Sequence, residues 1–173
     1  LSNLVSDLLD ISKLQSGAVP IEKKVFSLTN CTSEILSRFA NLSQQQGYRL
    51  SFESQEEAFV FADRARIEQV LYNLISNAVN YSGDRKEVKV SQKLAGGAVR
   101  IEVTDSGQGI EPEKLQHIWD RYYRADKNHQ RAVVGTGLGL SIVKEILDLH
   151  EARYGVLSKV GEGSTFWFEI GTV

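Results

Sequence analysis

The 173-residue sequence is 42% apolar and carries 20 basic against 22 acidic residues, for a formal charge of −2. That length buries a core in one compact domain with room for a short extra element. The interspersed charges exclude a basic face for nucleic acid or anionic lipid, so any polyanion it binds is expected to be small. The lone Cys31 excludes an internal disulfide, and no apolar run reaches the roughly 18 residues of a membrane span, which points to a cytoplasmic chain without membrane contact. With no Met, a start at Leu1 in mid-pattern and no signal-peptide leader, the chain reads as a piece of a longer protein.

Leu1, Leu4, Leu8 and Ile11 recur at helical spacing with Val5 and Leu9 beside them, predicting a helix that packs on other helices. Gly17 and Pro20 end it and place a boundary near residue 17, which divides the chain into 1–17 and 18–173. Val25 to Leu28 reads as a short strand, and Thr29 or Asn30 is expected to cap a helix running to about Gln46, where Gly47 stops it. The segment YRLSFES alternates as a strand, and Asp63 caps a helix that ends near Tyr81. EVKVSQ and AVRIEVTD alternate around Gly96 and Gly97 as an antiparallel hairpin. Residues 119–134 are polar and aperiodic, as in a functional loop. Gly137 is expected to open a helix through Leu149, and RYGVLSKV pairs with STFWFEI across Gly161 and Gly163. The pattern predicts an α/β (α+β) two-layer sandwich, one mixed and mostly antiparallel sheet covered on one face by helices.

Three segments carry chemistry. On the helix after Asp63, Ile67, Val70, Leu71, Leu74, Ile75 and Ala78 form an apolar stripe, and Asn73, Asn77 and Asn80 line its edge at i, i+4 and i+7. Asn is a mediocre helix former, so three along one edge either ligate something, Mg²⁺ being suited to an amide oxygen, or mark a solvated polar border. DSGQGI, residues 105–110, follows a strand directly. Its Gly107 and Gly109 permit positive φ and close approach to a ligand, and a carboxylate at Asp105 can accept from an adenine amino group while rejecting the carbonyl of guanine. The same segment also reads as an ordinary turn with an Asp cap. GTGLGLSIV, residues 135–143, leads from glycines into a helix whose free amides suit phosphate, or forms a hinge. It is neither a P-loop nor the dinucleotide fingerprint.

Taken in order and spacing, QVLYNLISNAVNYS, DSGQGI, IWDRYYRAD and GTGLGLSIV resemble the asparagine, first glycine, aromatic and second glycine boxes of sensor histidine kinases. GEGSTFWFEI resembles the closing glycine strand, so the likeness covers about residues 22–171, and the first sixteen residues look like the end of the second dimerisation helix. The resemblance implies a Bergerat-type sandwich holding ATP and Mg²⁺. It implies Asn77 as the metal ligand, Asn73 as a catalytic residue near the phosphates, and Asn80 and Tyr81 along the nucleotide. It further implies Asp105, with Gly107, Gly109 and Ile110, at the adenine, and Arg121, Tyr123 and Arg124 in a lid over the phosphates. The triphosphate turn would comprise Gly135, Thr136, Gly137, Leu138 and Gly139, with Thr165 on the closing strand. The implied partners are the chain's own histidine-bearing dimerisation domain and, indirectly, a response regulator. The parent would be a membrane-anchored homodimer and this piece alone a monomer.

Three departures stand out. Asn80 occupies a position where the family usually has a phosphate-binding Lys, Trp119 replaces the usual Phe, and HEARYG stands where His-Gly-Gly is common. His150-Glu151-Ala152-Arg153 imitates a phosphoacceptor motif, but it ends a helix of the sandwich. His117 and His129 are expected at the surface, Cys31 partly buried in a helix, and the scattered histidines make no zinc site. Related ATP hydrolases such as gyrase, heat-shock chaperones and mismatch-repair proteins need a carboxylate one turn before the metal-binding Asn, and here that position holds Asn73. Anti-sigma serine kinases would leave the aromatic segment unexplained. An ATP-sensing module without turnover is the reading from a different class.

Overall fold

The computed structural model describes residues 2–121, 123 and 138–173. Helix α1, Ser2–Ser16, is followed by strand β1, Lys24–Ser27, and helix α2, Leu28–Ser37. Helix α3, Ala40–Gln46, strand β2, Arg49–Ser54, and strand β3, Phe59–Ala62, precede the long helix α4, Arg64–Tyr81. Strands β4, Glu87–Ala95, and β5, Ala98–Asp105, then lead towards helix α5, Gly139–Leu149, and the closing pair β6, Arg153–Lys159, and β7, Gly163–Gly171.

Five strands form one sheet in the order β2-β4-β5-β7-β6, with only β2 and β4 parallel. The alternation visible in the sequence decides its faces. Val99, Ile101 and Val103 on β5, Val88 and Val90 on β4, and Phe166, Phe168 and Ile170 on β7 are buried in the core shared with α4 and α5. On the opposite face Arg100 donates to Glu102 (2.9 Å) and Glu169 (3.1 Å), and its guanidinium lies 4.0 Å from the Trp167 ring centroid. The Trp167 ring in turn fills the space where a Cβ on Gly155 would stand, 2.8 Å from its nearest atom. The expected two-layer sandwich is thus present. A second, two-stranded sheet of β1 and β3 was not anticipated. FVFA is apolar at every position, so the alternation of exposed Phe59 and Phe61 with buried Val60 and Ala62 leaves no trace in the pattern.

Three other expectations are corrected. The helix after β1 is capped by Ser27, whose hydroxyl accepts from Asn30 N at 3.1 Å, whereas Thr29 donates to Gln92 and accepts from Ala58 N. It does not run through to Gln46. It breaks after Ser37, and the Phe39 ring at the break is buried 5.2 Å from that of Tyr72. Gly47 does stop α3, in the left-handed conformation at φ 74°. Cys31 is fully rather than partly buried, and burial pushes its thiol up to about 12.

Gly17, at φ 67°, ends α1 as expected. Ile11 and Leu14 on α1 are buried, α1 packs on α5, and Asp10 accepts from both Arg66 and Gln69 of α4. Val5 and Leu9 remain exposed on the other side of α1. Among the described residues no helix is long and apolar enough to cross a membrane.

Candidate nucleotide site

The site is built where β5 ends. Asp105, the last residue of β5, is 4% exposed and faces the helical layer. Burial raises its carboxyl to about 6, against the lowering effect of main-chain donors from Gly107 and Ser164. The Gly107 N–H lies 2.9 Å from Oδ1. A carboxylate that keeps only two donors in a dry setting retains lone pairs for a further one.

The glycines that follow also meet the protein's own main chain. Gly109 has positive φ, 76°, but Gly107 does not. A Cβ at Gly107 would lie 1.7 Å from the Tyr81 carbonyl, and one at Gly109 would lie 2.2 Å from the Lys159 carbonyl. Both therefore permit close approach of the protein's own main chain, which locks the turn between the end of α4 and the β6–β7 hairpin. Ile110, half-buried, donates its N–H to Ser158 Oγ at 2.7 Å.

Asp63 caps α4 as expected, accepting from Arg66 N, and the helix carries its amides to the site. Asn73 and Asn77 are half-buried, and Asn73 Nδ2 donates to the Gly139 carbonyl at 3.4 Å. Asn80 and Tyr81 are exposed at the end of the helix. Among the described residues no cluster of three His, Cys, Asp or Glu side chains could hold a metal alone. The oxygen of the Asn77 amide, on the same edge as Asn73, fits a divalent ion that takes its remaining ligands from phosphates and water.

On the far side of the site α5 begins at Gly139, with no side chain capping it among the described residues. The Leu138 side chain is fully buried in the core, which leaves only its main chain for a ligand. A Cβ at Gly139 would meet no atom of the described residues within 4 Å. Arg121 is exposed and donates to Gln15 Oε1, whose Nε2 donates to Glu145 at 2.9 Å. Tyr123 is half-buried with its ring 5.7 Å from His117, which is exposed as expected. Trp119 packs edge-on against Tyr154 (5.1 Å) and Phe166 (5.7 Å), so the larger ring is accommodated. The expectations for Arg124, His129, Gly135, Thr136 and Gly137, and for most of the 119–134 loop, lie outside the described residues.

Thr165 is corrected. It stands on the uncovered face of the sheet, its hydroxyl 2.8 Å from that of Thr104. The residue beside Asp105 is Ser164, directly opposite it in register and 6% exposed. Parity would have found it, because Phe166, Phe168 and Ile170 place even-numbered β7 residues on the covered side. Ser158, opposite Ser164 on β6, was also passed over.

His150 is excluded as an acceptor by its surroundings. It is 9% exposed, and Nε2 accepts from Asp63 N at 3.0 Å, so the ring hydrogen sits on Nδ1 and is donated to the Ile146 carbonyl at 2.8 Å.

A two-layer sandwich with a buried carboxylate at a strand end, amides along the facing helix and an uncapped helix opposite defines the architecture of an ATP-binding domain. Residues 62–172 match the family of histidine kinase-, DNA gyrase B-, and HSP90-like ATPases, and the chain belongs to that family, among the catalytic domains of sensor histidine kinases. It is 35% identical over 95% of its length to the sensor histidine kinase YvrG of Bacillus subtilis, of which it spans 28%. The catalytic domain of histidine kinase ThkA superposes with a TM-score of 0.76 at 31% identity, covering 87% of this chain and 95% of that one. Full-length ShkA in complex with AMPPNP superposes with a TM-score of 0.86 at 25% identity, covering 99% of this chain and 35% of ShkA. ThkA has also been solved with the response regulator TrrA, at a TM-score of 0.77 and 28% identity over 99% of this chain and 49% of that one. The chain thus spans less than half the length of the curated relatives it matches.

Proposed function

We propose that this chain binds ATP and transfers its γ-phosphate to a histidine on an upstream dimerisation domain, from which a response regulator is then served. The observation that carries the reading is the buried Asp105 carboxylate, with lone pairs to spare, at the end of β5 on the face of the sheet that α4 and α5 cover. Asp105 accepts from the adenine amino group, and a guanine carbonyl in its place would set acceptor against acceptor. Asn77 would hold Mg²⁺, and the ion would supply charge neutralisation for the phosphates. The main-chain donors at the start of α5 face the phosphates. Arg121, once released from Gln15, is close enough in sequence to Tyr123 and Arg124 to join a lid.

Asn73 separates this reading from hydrolysis. An amide that donates to Gly139 O cannot take a proton from water, so the side chain orients phosphate and does not activate a hydrolytic nucleophile. The acceptor is a neutral imidazole, which attacks phosphorus as the bond to the bridging oxygen breaks, and it needs positioning rather than a base. Incubation with γ-labelled ATP tests this, with the chain alone and with its parent's dimerisation domain added. Acid-labile label on the added domain is expected. Stable label on His150, or brisk ATP hydrolysis by the chain alone, would overturn the reading.

A further inference from the structure

Ser158 lies outside every motif that brought the site together, yet its hydroxyl is a three-way junction beneath it. Its oxygen is 2.7 Å from the Ile110 N–H in the turn after Asp105, 2.7 Å from Ser164 Oγ, and 3.1 Å from the Gly163 carbonyl. A serine hydroxyl has one hydrogen and two lone pairs. The Ile110 amide can only donate, so it takes one lone pair. The Gly163 carbonyl can only accept, so it takes the hydrogen. The remaining lone pair must then receive the Ser164 hydrogen, and this is the one assignment in which all three contacts are hydrogen bonds. If Ser158 instead donated to Ser164, the contact with Gly163 O would be left unmade.

The consequence falls on Ser164. With its hydrogen committed to Ser158, its hydroxyl offers only lone pairs elsewhere. It stands directly across the ladder from Asp105, at the roughly 5 Å Cβ separation of opposed residues on one face. The end of the β5–β7 ladder therefore presents two neighbouring acceptors, a carboxylate and a hydroxyl fixed in orientation. An exocyclic amino group or a bound water supplies hydrogens to such a pair, and a carbonyl oxygen cannot.

We propose that Ser158 is a specificity-determining positioning residue, which selects adenine over guanine by orienting the Ser164 hydroxyl as an acceptor without itself touching the base. The inference rests on the reading of Asp105 as the adenine carboxylate. Removing the Ser158 hydroxyl frees the Ser164 hydrogen to rotate towards the ligand, where it can meet a guanine carbonyl.

The test is calorimetric binding of nonhydrolysable ATP and GTP analogues to the wild-type chain and to Ser158→Ala, Ser158→Thr, Ser164→Ala and the double alanine variant, with melting temperatures as a check on folding. Ser158→Ala should lower the ATP:GTP affinity ratio about five- to tenfold, the scale of one hydrogen bond, and Ser158→Thr, which keeps the hydroxyl, should preserve it. In the Ser164→Ala background, Ser158→Ala should leave the ratio unchanged. A purely structural role would weaken both nucleotides alike, and equal losses or an unchanged ratio in Ser158→Ala would overturn the proposal. Should Ser158→Ala fail to fold, loss of selectivity in Ser158→Thr would overturn it as well. Failure of the wild-type chain to bind the ATP analogue is a separate result, since it removes the adenine site itself.

Discussion

The two ends of α5 are treated in opposite ways. At its C-terminal end His150 N–H reaches the Ile146 and Leu147 carbonyls, its ring clamps Ile146 O and Asp63 N, and Ala152 N–H closes on Leu147 O. Glu151 is held there at φ 53°, a conformation that favours glycine, because the chain must turn sharply into β6. At its N-terminal end no side chain of the described residues caps the helix, and the Ser141 hydroxyl turns back to the Leu138 carbonyl instead of outward. The end that only holds the fold together is clamped by a side chain. The end beside Asn73, where the proposed function puts the phosphates, has no such clamp among the described residues.

That contrast can be broken most severely at the closed end. His150→Ala removes both ring hydrogen bonds and leaves Asp63 N without its ring partner beside a cavity, although Ile146 O keeps the residue-150 N–H, which should cost about 2–4 kcal/mol in denaturant unfolding. Nucleotide affinity of the folded fraction should stay near wild type. A ΔΔG below about 1 kcal/mol would show that the clamp holds little.

At the open side the decisive change is Asp105→Asn, which should weaken ATP binding by about 1.5–3 kcal/mol in calorimetry. The same variant separates binding from stability through pH. The folded carboxyl sits at about 6, above its ordinary value of 3.8, so the folded state binds the proton more tightly than the unfolded one. The ionised form is therefore a stability penalty at pH 7 that is relieved as pH falls through 6 towards 3.8. Asp105→Asn should be more stable than wild type at neutral pH, and the gap should close on acidification. Wild-type ATP affinity should decline over that same interval as the carboxylate is protonated. A stability gap that does not vary with pH would contradict the buried-carboxylate account.

Smaller effects sharpen the comparison. Glu151→Gly should stabilise the chain by about 1 kcal/mol, read as a rise in melting temperature, because it relieves a left-handed residue. Gly139→Ala, with open space for the methyl and no positive φ, should stabilise by about 0.4–1 kcal/mol while reducing ATP affinity by crowding the phosphates. Higher stability with unchanged binding would move the phosphates away from Gly139.

Elements long enough to show their period were legible in the sequence, including α4 with its Asp63 cap, the β4–β5 hairpin and the β6–β7 pair. The break between α2 and α3 was not, because it depends on Phe39 meeting Tyr72 from a helix far along the chain. Asp105 and the Asn edge could be found because their residue types are unusual in those places. Ser158 and Ser164 were missed because serine in a strand looks like nothing in particular, and only the register, Ser158 opposite Ser164 opposite Asp105, reveals them. The glycine pattern shows that a side chain is excluded at 107 and 109, but not that main chain of this protein excludes it. The Tyr81 and Lys159 carbonyls come from segments distant in sequence.

The two tryptophans occupy opposite faces of one sheet, and this makes the chain a natural optical instrument. Trp119 is wedged among Tyr154 and Phe166 on the face that carries Asp105, so its emission should respond to nucleotide bound as proposed. Trp167 is pinned between the Arg100 guanidinium and Gly155 on the uncovered face, screened from the nucleotide by the thickness of the sheet. It contributes a steady background that Trp167→Phe would remove. The single fluorophore left behind would let nucleotide capture be followed in real time without an added dye.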